Sequence, residues 1–501
     1  MSISSLPPAL TLAPESRMLD DFQTHISDVF YSKFLPIMHE SEPRLLSHVC
    51  RAFRDTVPEN APPHSYRVTD FVDNIERVKM ALNNGCPLDV RLCALAAKNG
   101  NLEVLKYLRE KDCPWDWQTT AAAAENGHLD VLEWAHEHGC LWDERTSEAA
   151  AKVGKLDVLQ WLRSQDPPCP WGSSTYGAAA EGGHLDVLKW LHENGCPKDS
   201  NTCDRAAKGG HLDVLKWARE NNYGWRVYTC QLAAKGGHLK VIQWMRGQNP
   251  PCPWNIDTCE AAAAGGHLEL LKWVREHECP WDGFTCSFAA GNGHLDVLQW
   301  AHEQGCPWDE NTCKEAAYGG HLDVLEFAHE HGCPWDEWTC AYAAENGGLD
   351  VLKWLRKHEC PWNDDTCAHA ARGGNLNVLQ WAREQGCPWG EYTCSYAAQS
   401  GHLDILIWAR GQDPPCPWDA EVCQEAAENG HLDILKWARR QDPPCPWDWP
   451  TTAMAAENGH LDALKWAHEH GCSLHANMRH FVNKGGHLDV IKWLDTVEAD
   501  A

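Results

Sequence analysis

The side chains with the most chemistry to offer are 25 cysteines, 28 tryptophans and 28 histidines. Apart from Cys50, every cysteine occupies one of two repeat positions, that of the C-P-W loop (Cys279, Cys306, Cys333) or the start of the first helix (Cys286, Cys313, Cys340). A C-x6-C pair such as Cys306 and Cys313 brings two thiols, whereas a structural zinc site takes four ligands. His294 or His321 would have to supply the others. Within the chain the loop thiol is replaced by Tyr223, and the second thiol by Thr120, Ser147 and Tyr176. Free exchange of that kind suits small buried packing residues, not ligands. Many of the histidines fall in G-H-L-D blocks (His128, His294, His321) or in His-Glu-His triplets (His136 with His138, His329 with His331). The block histidine gives way to Asn101, Lys155, Gly348 and Asn375 elsewhere, which reads as a helix-junction role. A triplet's i,i+2 spacing does not present both rings on one helix face. H-E-x-x-H, P-loop, G-x-G-x-x-G and G-x-S-x-G patterns are missing from the sequence, so no catalytic residue, metal site or cofactor is expected.

What positions these residues is a repeat. The glycines opening the G-H-L-D blocks run from Gly100 to Gly486 at intervals of 27 residues, or 29 where a Pro-Pro is inserted, as at Pro167-Pro168. A fixed period of this length is the signature of a stacked array, in which each copy buries its apolar face against its neighbours. Each copy predicts two short helices. Thr339 or Thr366 is placed to cap the first, Ala343 and Ala344 allow close backbone approach, and Gly347 suits a left-handed C-cap. The second, as over Leu295 to Glu303, buries Leu295, Val297, Leu298 and Trp300-Ala301, with Asp296 at the positive end of its dipole. The helical Trp (Trp134, Trp161, Trp190, Trp217) reads as a core ladder, and the loop Trp (Trp281, Trp308, Trp335, Trp362) as a cover for the end of the helix pair. Equivalent cysteines of neighbouring copies stand about 8–10 Å apart, beyond the roughly 7 Å Cα separation a disulfide tolerates.

Composition narrows the partners. Acidic residues number 71 against 43 basic ones, a net charge of −28. Such an excess repels phosphate backbones, so nucleic acid is not expected as a partner. No apolar run reaches the ~18 residues of a membrane span, and the opening MSISSLPPALTLAPES lacks the basic and apolar regions of a signal peptide. No membrane association is expected, and the location expected is intracellular and cytoplasmic.

Before the array, residues 1–17 read as a disordered lead, 18–57 as a small helical segment and 58–66 as a linker. The array proper runs from 67 to 498 in about fifteen copies, degenerate at the first and last. Within 18–57, Leu45-Leu46-Ser47-His48-Val49-Cys50-Arg51-Ala52-Phe53-Arg54 spaces its apolar residues along one helix face. This run resembles the end of an F-box. The resemblance implies docking to a Skp1-type adaptor of a cullin ubiquitin ligase through Leu45, Leu46, Val49 and Phe53. A helical cap on the array is the other reading.

The A-A-x-x-G-H-L-D-V-L-x-x-x-x-x-x-G run resembles the ankyrin repeat through its second helix and closing glycine, over about 430 of the 501 residues. Each copy is six residues shorter than the ankyrin unit. The shortfall falls in the projecting hairpin, and T-P-L-H is replaced by residues such as Trp338-Thr339-Cys340-Ala341. The array is similar to the short, Trp- and Cys-rich ankyrin variety of large DNA viruses and unicellular algae. The resemblance implies an all-α, ankyrin-type solenoid of stacked helix pairs with largely hairpin-less connections, and a non-enzymatic scaffold binding other proteins on its concave face.

Residues that break the repeat carry the site. The positions after P-W-D and before A-A turn aromatic between Phe284 and Tyr396: Phe284 with Phe288, Trp338 with Tyr342, His369, and Tyr392 with Tyr396. The i,i+4 spacing sets each pair on one side of the first helix. Exposed aromatic clusters anchor partner proteins. Packing between neighbouring copies is the other reading of these residues, and metal or small-ligand binding through repeated Cys and Trp is a minor third.

Overall fold

The computed structural model describes residue 72, residues 74–83 and residues 88–499. The lead, the 18–57 segment and the linker lie outside the described residues. So do Leu45, Leu46, Val49 and Phe53. All the regular structure described is α-helical, in pairs that repeat as the sequence period demands. The described residues divide into two compact units, one ending at Tyr223 and the other starting at Gly224. Inside each, the first helix of a repeat packs on the first helix of the next and on its own second helix.

The repeat beginning at Asp309 shows how sequence makes this unit. Asp309 is extended, and its carboxylate accepts the Asn311 N–H at 3.0 Å, starting the helix Glu310–Gly319. Gly320, at φ +75°, ends it in the left-handed conformation that glycine adopts without steric cost. The second helix, Leu322–Glu330, follows at once. Thr312, Cys313, Ala316 and Ala317 from the first helix meet Val324, Leu325 and Ala328 from the second, all fully buried. A buried Leu such as Leu325 contributes about 2 kcal/mol.

Two sequence expectations shift here. The cap is the aspartate three residues upstream of the threonine: Asp336 accepts the Trp338 N–H at 3.1 Å and the helix runs Glu337–Glu345. A short carboxylate reaches the second helical N–H without strain. Thr339 instead accepts the Asp336 N–H at 3.4 Å, while the buried Thr366 hydroxyl has no partner. The helical tryptophans are half-buried and not part of the core. Most lie edge-on to the loop Trp of the preceding repeat, as in Trp142 with Trp161 (5.9 Å) and Trp281 with Trp300 (5.8 Å). Val, Leu, Ala, Cys and Thr already fill the interior of so short a repeat, and the large rings close its rim. The loop Trp is also roofed from its own repeat, by Arg275 over Trp281 at 4.1 Å or by His329 stacked on Trp335 at 4.0 Å.

The 23 described cysteines are all buried and free. Where a repeat carries both thiols, the contact partner is not the one at C-x6-C spacing. It lies 20 or 22 residues away in the same repeat, as Cys286 with Cys306, Cys313 with Cys333 and Cys394 with Cys416, where one thiol hydrogen-bonds the other. That bond and burial hold the Cys306, Cys333 and Cys416 thiols above their ordinary ionisation range. Loop thiols also donate to the carbonyl of the residue capping their own first helix, Cys306 to Asp282 and Cys333 to Asp309, both at 3.3 Å. The cysteines therefore clip each repeat shut.

Histidine of the G-H-L-D block joins one repeat to the one before it. His211 bonds through Nε2 to the Glu181 carbonyl at 2.8 Å, and His294 to the Ala264 carbonyl at 3.2 Å. Asn375 does the same work, donating to the Glu345 carbonyl at 2.6 Å. The preceding repeat must leave room. A Cβ on Gly266 (φ +72°) would come within 2.6 Å of the His294 ring, so glycine serves both the turn and the approach.

Candidate functional site

Three positions of each first helix face away from its buried Thr, Cys and Ala-Ala: the second residue after the cap, then four and seven residues on. That i, i+4, i+7 spacing lines one face. In the Gly224–Ala501 unit these positions read Phe284, Phe288 and Gly291; then Asn311, Glu315 and Tyr318; then Trp338, Tyr342 and Glu345. They continue with Asp365, His369 and Arg372, then Tyr392, Tyr396 and Gln399.

The structure brings most of the expected aromatic residues into one chain of ring contacts. Within a helix, Trp338 meets Tyr342 at 6.4 Å and Tyr392 meets Tyr396 at 6.0 Å. Across helices, His369 is the junction: it lies 5.7 Å from Trp338, 5.8 Å from Tyr342 and 6.0 Å from Tyr396. Phe284 and Phe288 contact each other at 6.4 Å and form a separate pair. Phe284, Phe288, Trp338 and Tyr392 are exposed, Tyr342 and Tyr396 half-buried, and His369 only 6% exposed. The expectation for this stretch thus divides. His369 is packing between repeats, and the rings around it reach solvent.

His369 is fixed by a hydrogen bond as well as by packing. It donates through Nδ1 to Glu345 Oε2 at 2.5 Å, while Arg372 Nε stands 3.8 Å from Glu345 Oε1. The Arg372 guanidinium in turn sits 5.8 Å from the centre of the Tyr396 ring. Sequence reasoning passed over Tyr318, which is exposed and meets Tyr342 edge-on at 6.0 Å. It also passed over Glu345 and Arg372. All three stand at the i+7 position, and extending the i,i+4 pattern by one turn would have found them.

The next first helix, Ala420–Glu428, turns the same face acidic, with Glu421, Glu425 and Glu428 at the three positions. Burial and neighbouring carboxylates, Asp419 and Glu391, raise the pKa of Glu421. Burial also raises that of Glu425, with Glu428 and Glu421 adding to it, against a hydrogen bond from Gln399 Nε2 at 2.9 Å. A second acidic contact involves Glu260, whose pKa is pushed up to about 7 by burial and by Asp282 and Asp257. At the equivalent position Lys314 pairs with Asp336 at 2.8 Å, and Gln424 donates to Asp448 at 3.0 Å.

The Met1–Tyr223 unit carries different residues on this face. Arg91, Lys98, Arg145, Lys152, Arg205 and Lys208 occupy the equivalent positions. Arg205 is held by Asp199 at 2.8 Å and by Glu181 at 3.2 Å, and Lys208 by Glu181 at 2.8 Å.

Away from this face, Gln380, Arg383, Trp389, Trp408 and Asp413 are among the residues lining an open depression of about 460 Å³. Among the described residues, no three His, Cys, Asp or Glu side chains converge on a point that would hold a metal ion. No described helix is long and apolar enough to cross a membrane.

The family model for ankyrin repeats (many copies) matches residues 178–218. No curated protein matches the sequence significantly. Among solved structures, the chain is similar to the pentatricopeptide repeat protein PPR10 in complex with an 18-nt psaJ RNA element. The identity is 13% over 85% of this chain and 87% of that one, with a TM-score of 0.30. It is similar to PPR10 from maize at 11% identity over 97% and 98%, with a TM-score of 0.28. It is also similar to the human ASB11 ankyrin repeat domain, at 17% over 37% and 84% and a TM-score of 0.24. The exclusion of nucleic acid drawn from bulk charge is corrected here, because a repeat protein in complex with RNA stands among these neighbours. The physical reason is that net charge is not local charge: a chain of net charge −28 still sets six Arg and Lys residues on one face of its first unit, four of them ion-paired.

Proposed function

We propose that this chain, whose residues 178–218 match the family model for ankyrin repeats, is an ankyrin-repeat protein and a non-catalytic scaffold for protein–protein interaction. Its contact surface is the first-helix face between Phe284 and Gln399. One observation carries the reading. Aromatic rings from successive repeats meet on a single face, with Trp338, Tyr392 and Tyr318 exposed there. Rings left in water cost solvation that burial against a partner recovers, which is why Trp and Tyr dominate interface energetics. The reduced, buried thiol pairs suit a reducing compartment inside the cell.

The test compares affinity capture from cells of the full chain with capture by a Trp338→Ala/Tyr392→Ala variant, quantified by mass spectrometry. Both residues are exposed, so the variant is expected to keep its melting temperature. One or more partners should fall at least tenfold. An unchanged partner set on a folded variant refutes the assignment of this face.

A further inference from the structure

We propose that the aromatic face of the Gly224–Ala501 unit receives an extended, lysine- or arginine-bearing segment of a partner protein, with the rings as cation–π platforms and the adjoining glutamates as counter-charges. The inference rests on the interaction reading above and specifies its ligand. Three observations point to basic chemistry. The platform is electron-rich and partly open: Trp338, Tyr392 and Tyr318 all present exposed rings. A guanidinium already occupies one such position, since Arg372 sits over Tyr396, and aromatic faces attract cations in this geometry.

The flanking carboxylates are the third observation. Among the described residues, no Lys or Arg forms an ion pair with Glu421, Glu425 or Glu428, although the three crowd one another on the helix next to Tyr392 and Tyr396. Glu315, beside Tyr318 at the other end, is exposed and likewise has no ion pair among the described residues. This is not the rule for acids on the first helices. Glu345 holds His369 and Arg372, and Glu457 holds Lys484 at 2.5 Å. Uncompensated negative charge bracketing open aromatic rings is complementary to a cationic chain and repels an anionic one. First helices about 10 Å apart make the path from Tyr318 to Glu428 roughly 40 Å. An extended segment of about 12 residues at ~3.3 Å each would cover it.

The test uses the full chain and fluorescence anisotropy with three 12-residue peptides: one alternating Arg and Lys with Gly and Ser, its Glu counterpart, and its Gln counterpart. The Arg/Lys peptide should bind. Its affinity should fall at least tenfold in Trp338→Ala/Tyr392→Ala and in Glu421→Gln/Glu425→Gln. Removing two charges elsewhere, by Glu303→Gln/Glu330→Gln, should change it less than twofold, which separates the face from the bulk charge of the chain. Equal loss in that control, or no loss in either face variant, overturns the proposal. Binding of the Glu or Gln peptide, or of a 12-nucleotide RNA, that is lost in Trp338→Ala/Tyr392→Ala also overturns it but leaves the interaction reading standing. If no probe responds to the face variants and partner capture does not change either, both readings fail.

Discussion

Glu260 gives the sharpest physical test of how neighbouring repeats meet. It occupies the position at which Lys314 and Gln424 find a favourable partner in the capping aspartate of the next repeat. Glu260 meets Asp282 instead, and one proton between them relieves the repulsion. Its folded pKa of about 7 lies above the ordinary 4.5. Protonation is therefore easier in the folded state, and the associated stability is complete below about pH 4.5 and lost as pH rises through about 7. In a fully shielded site a shift of that size would be worth roughly 3 kcal/mol. Glu260 is partly open to water, so screening reduces this to about 1 kcal/mol. Glu260→Gln replaces the shared proton with an amide N–H, the arrangement Gln424 already makes with Asp448. At pH 8 the variant should exchange amide hydrogens about fivefold more slowly over Ile256–Ala264 and Gly283–Gly291. The two proteins should converge at pH 5 after correction for intrinsic rates. A pH-independent difference, or none at pH 8, refutes the shared proton.

Other contacts give simpler expectations. His294→Ala removes the bond to the Ala264 carbonyl and should cost about 1 kcal/mol in urea unfolding, whereas His294→Asn should recover part of that loss, as Asn375 does naturally; equal behaviour of the two variants contradicts the bridging role. Glu359 holds φ +65° where several other repeats, as at Gly332 and Gly386, have glycine. Glu359→Gly should raise stability by about 1 kcal/mol, and an unchanged melting temperature would count against strain at that turn. A thiol reagent should find at most two reactive cysteines in the native chain, since 23 of the 25 are described and buried; rapid reaction of more than two would mean the repeats open readily.

The fold was legible because its signals repeat. The second helix follows its sequence reading to the residue, Leu295–Glu303, and Gly347 takes the left-handed φ of +77°. What escaped is contact between residues far apart in sequence. Cys286 and Cys306 look no closer on paper than Cys306 and Cys313, because the separation that matters is set by the angle between two helices and the loop joining them. The tryptophans mislead for a related reason. Large apolar side chains predict burial, yet a 27-residue repeat has too little interior for them, and they stack along its edge.

At the candidate site the difficulty is of another kind. A repeat conserves what it needs for stacking, so the residues free to vary are those the fold does not use. That logic singles out Trp338, Tyr342, His369, Tyr392 and Tyr396 from spacing alone. It could not separate packing from display, since both produce aromatic residues at i and i+4. Exposure separates them. His369 is enclosed and bound to Glu345, while Trp338 and Tyr392 open to water on either side of it. The buried ring touches Trp338 directly and Tyr392 through Tyr396, linking three successive first helices, and a rigid row of rings loses less entropy on binding than independent side chains would. The variable positions thus divide the work, with one residue fixing the geometry that the others present.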